Sequence, residues 1–402
     1  MAITTETEPQ DYNTASNPCV FTFSSDATAN ASFSFYVELT VNGSVHSYHT
    51  VFTESNNYGK FDCSDVLRSV VFSDLIVTGD YVNSYNSASI NYSIRVQEKY
   101  GDPPALIGIW YASNTVNAFN GALRHQDWID WDYQNYDATT QNNVTAEWLT
   151  DFPYKQQRYF CGLQETQFVS ILCTDTSAQV IVTLYDVTGS TIATTTDAVT
   201  VPTANLMLLN ISPNALIANT SLSTADFSTC YYYTVKFDAT GGGAYNGFSK
   251  SFEVYIDTEC TQYTTRRLHF LNKYGVWDAF TFSLYSEEDT KVKSSMFQTD
   301  KGVWSGSDTW DYNRYAGERK TYAKTSVDSM KLNSDWIKQA KQQWLVQTLY
   351  ESPRVYLEVS YGVFELVNVK AQGFKLKQRI REGLIREEVT VERTYNYTSQ
   401  LN

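Results

Sequence analysis

Phe33, Phe35, Val37, Leu39 and Val41 occupy every second position, Asn42-Gly43 follows, and Val45 to Phe52 returns. Alternation at period two puts all five apolar side chains on one face of a strand, and Asn-Gly favours the positive-φ turn that joins two strands tightly. A chain that begins in this way is committed to antiparallel sheet. Cys19–Phe23 and Ala88–Tyr100, the latter with Ile90, Tyr92, Ile94 and Val96, add strands. Phe61–Leu67 reads as a helical turn capped by Ser64 or Asp62. After an N-terminal arm over 1–17, residues 18–104 are expected to form an Ig-like β-sandwich, ended by Gly101-Asp102-Pro103-Pro104.

The same alternation resumes from Gln164. Phe168–Leu172, Val180–Tyr185, Thr191–Val201, Leu206–Ile211, Tyr231–Phe237 and Phe252–Ile256 give a second expected sandwich over 161–262, with Gly241-Gly242-Gly243 as a hairpin loop. Between the two lies 105–160, which carries Trp110, Trp128, Trp131 and Trp148 and shows no clear period. A solvated linker would not carry four tryptophans, so an irregular aromatic-rich segment reaching a neighbour is expected there.

Residues 263–402 read as an α+β assembly domain. Arg267–Asn272 and Asp278–Tyr285 flank a glycine turn. Ser334–Glu351 is helical, with Ile337, Ala340, Trp344, Leu345 and Leu349 on one face and Pro353 just beyond. Val355–Val359, the turn at Gly362, Phe364–Val369 and a last strand with Val389, Val391 and Tyr395 supply a sheet. The fold class is therefore mainly β: two Ig-like sandwiches and a C-terminal α+β domain. A length of 402 residues is in keeping with two or three domains.

Composition narrows the function. Aromatic residues reach 15% and charged ones only 18%, so Tyr, Ser, Thr and Asn cover the surface. Tyr and Trp favour strands and the cores of interfaces. A hydrophobic fraction of 42% excludes a disordered tail, and 19 Gly with 8 Pro exclude a collagen-like chain. Residues 1–264 hold 9 Lys and Arg against 27 Asp and Glu, a net −18; residues 265–402 hold 21 against 17, a net +4. The acidic part repels phosphate, so nucleic acid is not an expected partner there, whereas acidic and basic faces of neighbouring copies could meet head to tail. The run Lys375, Lys377, Arg379 and Arg381 can share one face of an extended segment. It reads as a solvated edge or as a face toward DNA or an acidic neighbour.

Catalytic signatures are missing from the sequence. No GxSxG, HExxH or phosphate-binding glycine loop is present, and His46 and His49, three apart on a strand, point to opposite faces. Asp127, Asp130, Asp132 and Asp137 lack the glycine and the twelfth-position carboxylate of a calcium loop. No cofactor or metal is implied, and an enzyme is not expected. Six cysteines at wide spacing, none in a CxxC pair, read as buried free thiols. The N-terminus shows no signal peptide and no apolar run is long enough for a membrane span, so synthesis in a cytoplasm is expected.

One local echo stands out: Trp131-Asp-Tyr-Gln-Asn-Tyr136 against Trp310-Asp-Tyr-Asn-Arg-Tyr315. Trp128, Trp131, Tyr133, Trp277, Trp310 and Tyr312 are the expected subunit contacts, together with Lys375, Lys377, Arg379 and Arg381.

Three segments carry a resemblance. They are Tyr111-Ala-Ser-Asn with Ala118–Tyr133 and Glu147–Pro153; Arg266-Arg-Leu-His-Phe-Leu-Asn-Lys-Tyr-Gly-Val-Trp-Asp-Ala-Phe-Thr-Phe; and the Trp344 to Leu357 helix-to-strand joint. Together they resemble virion structural proteins of tailed phages of Bacteroidetes, of the crAss-like podovirus type. The resemblance implies a tail, ring, collar or baseplate component present in many copies, located in the virion. Its partners would be itself, in a symmetric homo-oligomer of six- or twelve-fold order, and other tail or portal proteins. It supplies no active residues, and no fibre-type repeat is visible. A receptor- or glycan-binding adhesin is the alternative, and a polysaccharide-degrading enzyme the third reading.

Overall fold

The computed structural model describes residues 3–75, 81–84, 87–139, 145–175, 177–201, 205–239, 247–257, 262–312, 317–370 and 384–398. The protein is mainly β, with 51% of residues in strands and 12% in helices. It divides into two compact units. One comprises Met1–Thr258 with His269–Ala279 and Ser360–Val363; the other comprises Glu259–Leu268, Phe280–Val359 and Phe364–Asn402. Both stretches expected as sandwiches fall in the first unit.

In the first unit the predicted hairpin forms from Ser34–Val41 and Ser44–Val51, with Asn42 (φ +48°) and Gly43 (φ +75°) making its turn. Its sheet runs in the order Tyr12–Thr14, Val116–Phe119, Ser89–Tyr100, Ser34–Val41, Ser44–Val51, and Ala105–Ala112 also pairs with Ser89–Tyr100. A three-stranded sheet of Ile3–Thr7, Val20–Ser25 and Gly59–Asp62 shares its core. There Phe23 meets Phe35 edge-on at 4.7 Å and Phe21 meets Tyr92 at 6.1 Å. Aromatic pairs of this kind contribute about 0.5–1.5 kcal/mol beyond their buried area.

Two expectations are corrected here. Residues 3–17 of the expected N-terminal arm are part of the sheets, because Ile3–Thr7 and Tyr12–Thr14 are ladder strands. Asn17 holds them further: its amide donates to the Leu123 carbonyl at 2.8 Å and accepts from the Leu123 N–H at 2.7 Å. Likewise 105–119 is not irregular, since it holds two strands. The short helix is Ser64–Val70 with Cys63 at its N-terminal cap, which makes no side-chain cap; Asp62 instead accepts from the Ser64 and Cys19 backbones.

The second half of this unit has a sheet ordered Tyr159–Cys161, Phe252–Ile256, Tyr232–Ala239, Ser177–Tyr185, Thr191–Thr200. A smaller sheet joins Phe168–Leu172, Leu206–Asn210 and Val82–Ser84. The strand Val82–Ser84 lies in sequence within the first expected sandwich yet pairs with Leu206–Asn210. That exchange is one reason the two halves form one unit. Pro213–Asn219, capped by Ser212, and Thr224–Thr229, closed by a Ser223–Asp226 capping box, are helices that alternation did not reveal. Gly241–Gly243 lies outside the described residues.

The second unit is built on a sheet in the order Trp277–Phe282, Arg266–Leu271, Val355–Ser360, Val363–Val369, Glu388–Thr398, Arg319–Asn333, Glu287–Gln298; His269–Ala279 of its first two strands counts with the first unit. Its helix begins at Gln339, not Ser334, because Ile337–Lys338 pairs with Leu384–Ile385. Trp344, Leu345, Val346 and Leu349 are its buried apolar residues, and Trp344 lies 6.4 Å from Phe280. Arg267 and Glu358 are both buried at a separation of 3.9 Å, with an Arg267 Nη1 bond to Thr281 at 2.6 Å.

Candidate functional site

Four of the ten contact residues expected from sequence lie outside the described residues, and the other six separate into three groups. Trp131 is 5% exposed and Trp277 1% exposed, so both serve their own core. The Trp131 indole donates to the Tyr12 carbonyl at 3.0 Å, stacks on Tyr136 at 5.0 Å and touches Phe119 and Tyr274. Trp277 donates to the Asp74 carbonyl at 3.4 Å. Their expected role as subunit contacts is corrected: an indole already surrounded by its own chain has almost no surface left to give. Trp128 and Tyr133 are half-buried. The Tyr133 hydroxyl donates to Asp11 at 2.9 Å, and burial together with that carboxylate pushes it up. Lys375, Lys377, Arg379 and Arg381 lie outside the described residues.

Trp310 and Tyr312 form the third group, and they are exposed. Glu287–Gln298 pairs with Arg319–Asn333 as a long antiparallel ribbon, and all twelve residues of Glu287–Gln298 are exposed. Twelve residues at strand rise extend roughly 40 Å. Beyond them Val303–Trp304 pairs with Trp310–Asp311. Trp304 is 69% exposed, Trp310 38% and Tyr312 74%. The two indoles meet edge-to-face at 5.2 Å, and Trp310 Nε1 donates to the Lys301 carbonyl at 2.9 Å. Val292, Met296, Phe297 and Tyr322 add apolar surface along the strands. Segments 291–298 and 319–327 contain Lys291, Lys293, Arg319, Lys320 and Lys324 and no acidic residue. Glu287, Glu288, Asp289 and Asp328 at the base and Asp300, Asp308, Asp311 and Glu318 toward the tip balance these cations, so 287–333 holds eight Lys and Arg against eight Asp and Glu: a neutral projection with a basic middle and an apolar tip, its backbone open along Glu287–Gln298, the outer strand of the sheet.

The echo between Trp131 and Trp310 has no common role, since the first is a core anchor and the second an exposed tip. Three of the four Asp residues, Asp127, Asp132 and Asp137, have structural partners. Asp127 pairs with Lys273 at 3.2 Å, and Asp151 pairs with it at 2.7 Å. Burial alone would lower the Lys273 ammonium, but these carboxylates outweigh it and hold it above its usual range. Asp132 accepts the Gln134 N–H, and buried Asp137 accepts from Thr139 and Thr174. No metal-holding group of three His, Cys, Asp or Glu is present among the described residues. His269 is buried against Phe168 as a strand residue, and the His49 ring lies 4.8 Å from Phe61.

A second surface escaped the sequence reading. Phe160, Tyr255, Tyr232 and Tyr185 face one another in register across four neighbouring strands. Their rings form a continuous row at 5.9, 5.3 and 4.8 Å, the last two contacts being stacked. Arg158 lies over Tyr255 at 4.8 Å, and Tyr231 packs edge-on against Tyr255 at 5.8 Å. Burial raises the Tyr232 and Tyr255 hydroxyls, with Glu253 adding to the second. The available signal was that each of the four stands at an outward position of a strand whose inward positions are apolar; pairing register was the missing information.

No protein-family model matches the chain, and no curated protein matches it. Among solved structures, it is similar to a putative membrane-anchored protein of Corynebacterium diphtheriae at 9% identity and a TM-score of 0.20, covering 64% of this chain and 58% of that one. It is also similar to the plexin A4 extracellular region at 7% identity and a TM-score of 0.17, covering 63% of this chain and 21% of that one. No described helix is long and apolar enough to cross a membrane.

Proposed function

We propose that the chain is a structural subunit of a tailed-bacteriophage virion, assembling with copies of itself into a ring or collar of the tail or connector. The observation that carries the assembly half of this reading is the ribbon Glu287–Gln298/Arg319–Asn333, exposed along one whole strand and tipped by Trp304 and Trp310. Exposed contiguous apolar groups on a long projection mark a surface that meets a partner. A second copy is a partner that charge allows, because the middle of the ribbon (291–298 and 319–327) carries five Lys and Arg and no acidic residue while residues 1–264 carry a net −18. The contact is heterologous and closes into a ring when its rotation closes. The sandwich-like halves, Ig-like in this reading, are rigid spacers, and the role is mechanical and not catalytic. The virion assignment itself is supported by the sequence resemblance described above. Particle symmetry by electron microscopy, with mass in solution, tests it: a closed ring that disappears when residues 291–325 are replaced by a short turn supports the reading. A strict monomer under all conditions overturns it.

The aromatic row favours a second reading, a glycan-binding adhesin in which Phe160, Tyr255, Tyr232 and Tyr185 form the recognition surface. Binding on a glycan array that is lost in Tyr232→Ala would support it, and a blank array would remove it.

A further inference from the structure

The ladder between Val20–Ser25 and Gly59–Asp62 pairs Val20 with Asp62 and Phe21 with Phe61. One step further, the same register sets Cys19 opposite Cys63, and the Cys63 N–H donates to the Cys19 carbonyl at 3.1 Å. Both cysteines have no solvent exposure, on the same core-facing side as Phe21 and Phe61. The Cys63 thiol also donates to the Cys19 carbonyl at 3.2 Å, so its sulfur already lies over the partner residue. The pair closes the end of the ladder with that one backbone bond, the Cys19 N–H going to Asp62 Oδ1 at 3.2 Å; directly opposed residues of antiparallel strands have α-carbons about 4.5–5.5 Å apart, inside the span of about 4.4–6.8 Å that a disulfide bridges. The Cys19 thiol itself donates to the Asn17 carbonyl at 3.5 Å, so it is the Cys63 thiol that spans the two strands; the Cys161 and Cys230 thiols donate only to carbonyls no more than four residues away in sequence.

We infer that Cys19 and Cys63, free thiols in this structure, are a dithiol set to close into a disulfide when the chain folds with a disulfide oxidant such as oxidised glutathione. One cysteine thiolate attacks the oxidant and releases one glutathione; the other attacks the resulting mixed disulfide and releases the second. The two electrons pass from the protein sulfurs to glutathione, and the two thiol protons end on the departing glutathione thiolates. The hydrogen bond from Cys63 holds the Cys19 thiol below its ordinary range, while that same contact and then burial push Cys63 up. Cys19 is therefore the more acidic thiol of the folded pair. Burial of both makes the reaction slow in the folded protein and fast during folding.

The experiment is to refold the reduced full chain in a glutathione redox buffer, quench with acid and map peptides by mass spectrometry without reduction. A peptide joining Cys19 to Cys63 is expected, together with a rise in Tm of roughly 5–10 °C over the reduced chain, because the bridge closes a loop of about 45 residues. The Cys161→Ser variant retains both signals and Cys63→Ser loses both. The mapping needs only the unmodified sequence, so a variant that fails to fold does not blunt the test. Absence of the joined peptide, or Cys19 and Cys63 shared at random among the other cysteines, overturns the inference. Neither readout depends on whether copies assemble.

Discussion

Gly275 sits against Asn120 so closely that a β-carbon at position 275 would coincide with the Asn120 carbonyl oxygen. The turn around it is fixed from several sides. Asn272 donates its N–H to the Val276 carbonyl, Ser73 Oγ donates to the Gly275 carbonyl at 2.6 Å, and the Asn272 amide donates to the Leu149 carbonyl at 3.0 Å. Gly275 also has φ +70°, which L side chains seldom adopt.

Gly275→Ala therefore has two independent costs, backbone strain and a clash with backbone that has no free rotamer to move. The expected loss is about 3 kcal/mol or more, read as a lower midpoint in urea unfolding with little change in m. A loss under 1 kcal/mol would mean that the turn is not seated as described.

Trp131→Ala is expected to destabilise the first unit by about 3–5 kcal/mol, since it removes a buried indole, three ring contacts and the bond to the Tyr12 carbonyl. Unfolding of the purified variant measures this. Below its lowered transition the variant should still assemble, because residue 131 gives no surface to a neighbour. Selective loss of assembly with stability unchanged would restore it as a contact.

The strands legible in sequence are those with one apolar face. Phe35, Val37 and Leu39 pack in the core while Ser34, Tyr36, Glu38 and Thr40 on the other side are polar or amphipathic, Glu38 being buried but paired with Arg95, and that difference in chemistry writes period two into a sequence. Ala105–Ala112 has no fully buried residue, and Glu287–Gln298 is exposed throughout, so neither strand leaves the pattern. Tyr12–Thr14 fails for the opposite reason, being three residues all buried. The ribbon tip was found through Trp310 and Tyr312, whose indole and phenol were conspicuous by type. The same criterion chose Trp131 and Trp277 wrongly, because residue type alone does not distinguish a core tryptophan from a surface one. The capping signature Ser223-Thr-Ala-Asp226 was available and marks a real helix.

Glu147 gives a pH-dependent prediction. Burial alone would raise its carboxyl, but hydrogen bonds from Lys155 (2.7 Å), Lys250 and Tyr154 (2.9 Å) outweigh burial and hold it below the usual range. A depressed folded value means that the unfolded chain binds the proton more readily. The stabilisation is then complete above the unfolded value of about 4.3 and disappears as pH falls through the folded value. Glu147→Gln should cost on the order of 1–2 kcal/mol at pH 7 and converge on the unmodified chain in acid. Parallel stability curves from pH 7 to pH 2 would contradict this.

The ribbon tip supplies the last prediction. Trp304 and Trp310 brace each other edge-to-face on a two-residue pairing far out on the projection. Neither is a core residue, so Trp304→Ala should leave Tm within about 2 °C, as surface changes generally do. If the tip inserts into a neighbouring copy, the same truncation removes a buried anchor, and loss of an anchor of that kind costs about 2 kcal/mol or more, roughly thirtyfold in affinity. The basic middle of the ribbon makes a different contribution: Lys291→Glu combined with Lys293→Glu should slow association and reduce its salt dependence while affecting dissociation less. Sedimentation over a concentration series, repeated at low and high salt, separates the two effects. An unchanged assembly constant in Trp304→Ala would show that the tip faces solvent in the assembled state and would leave the ribbon strands as the contact.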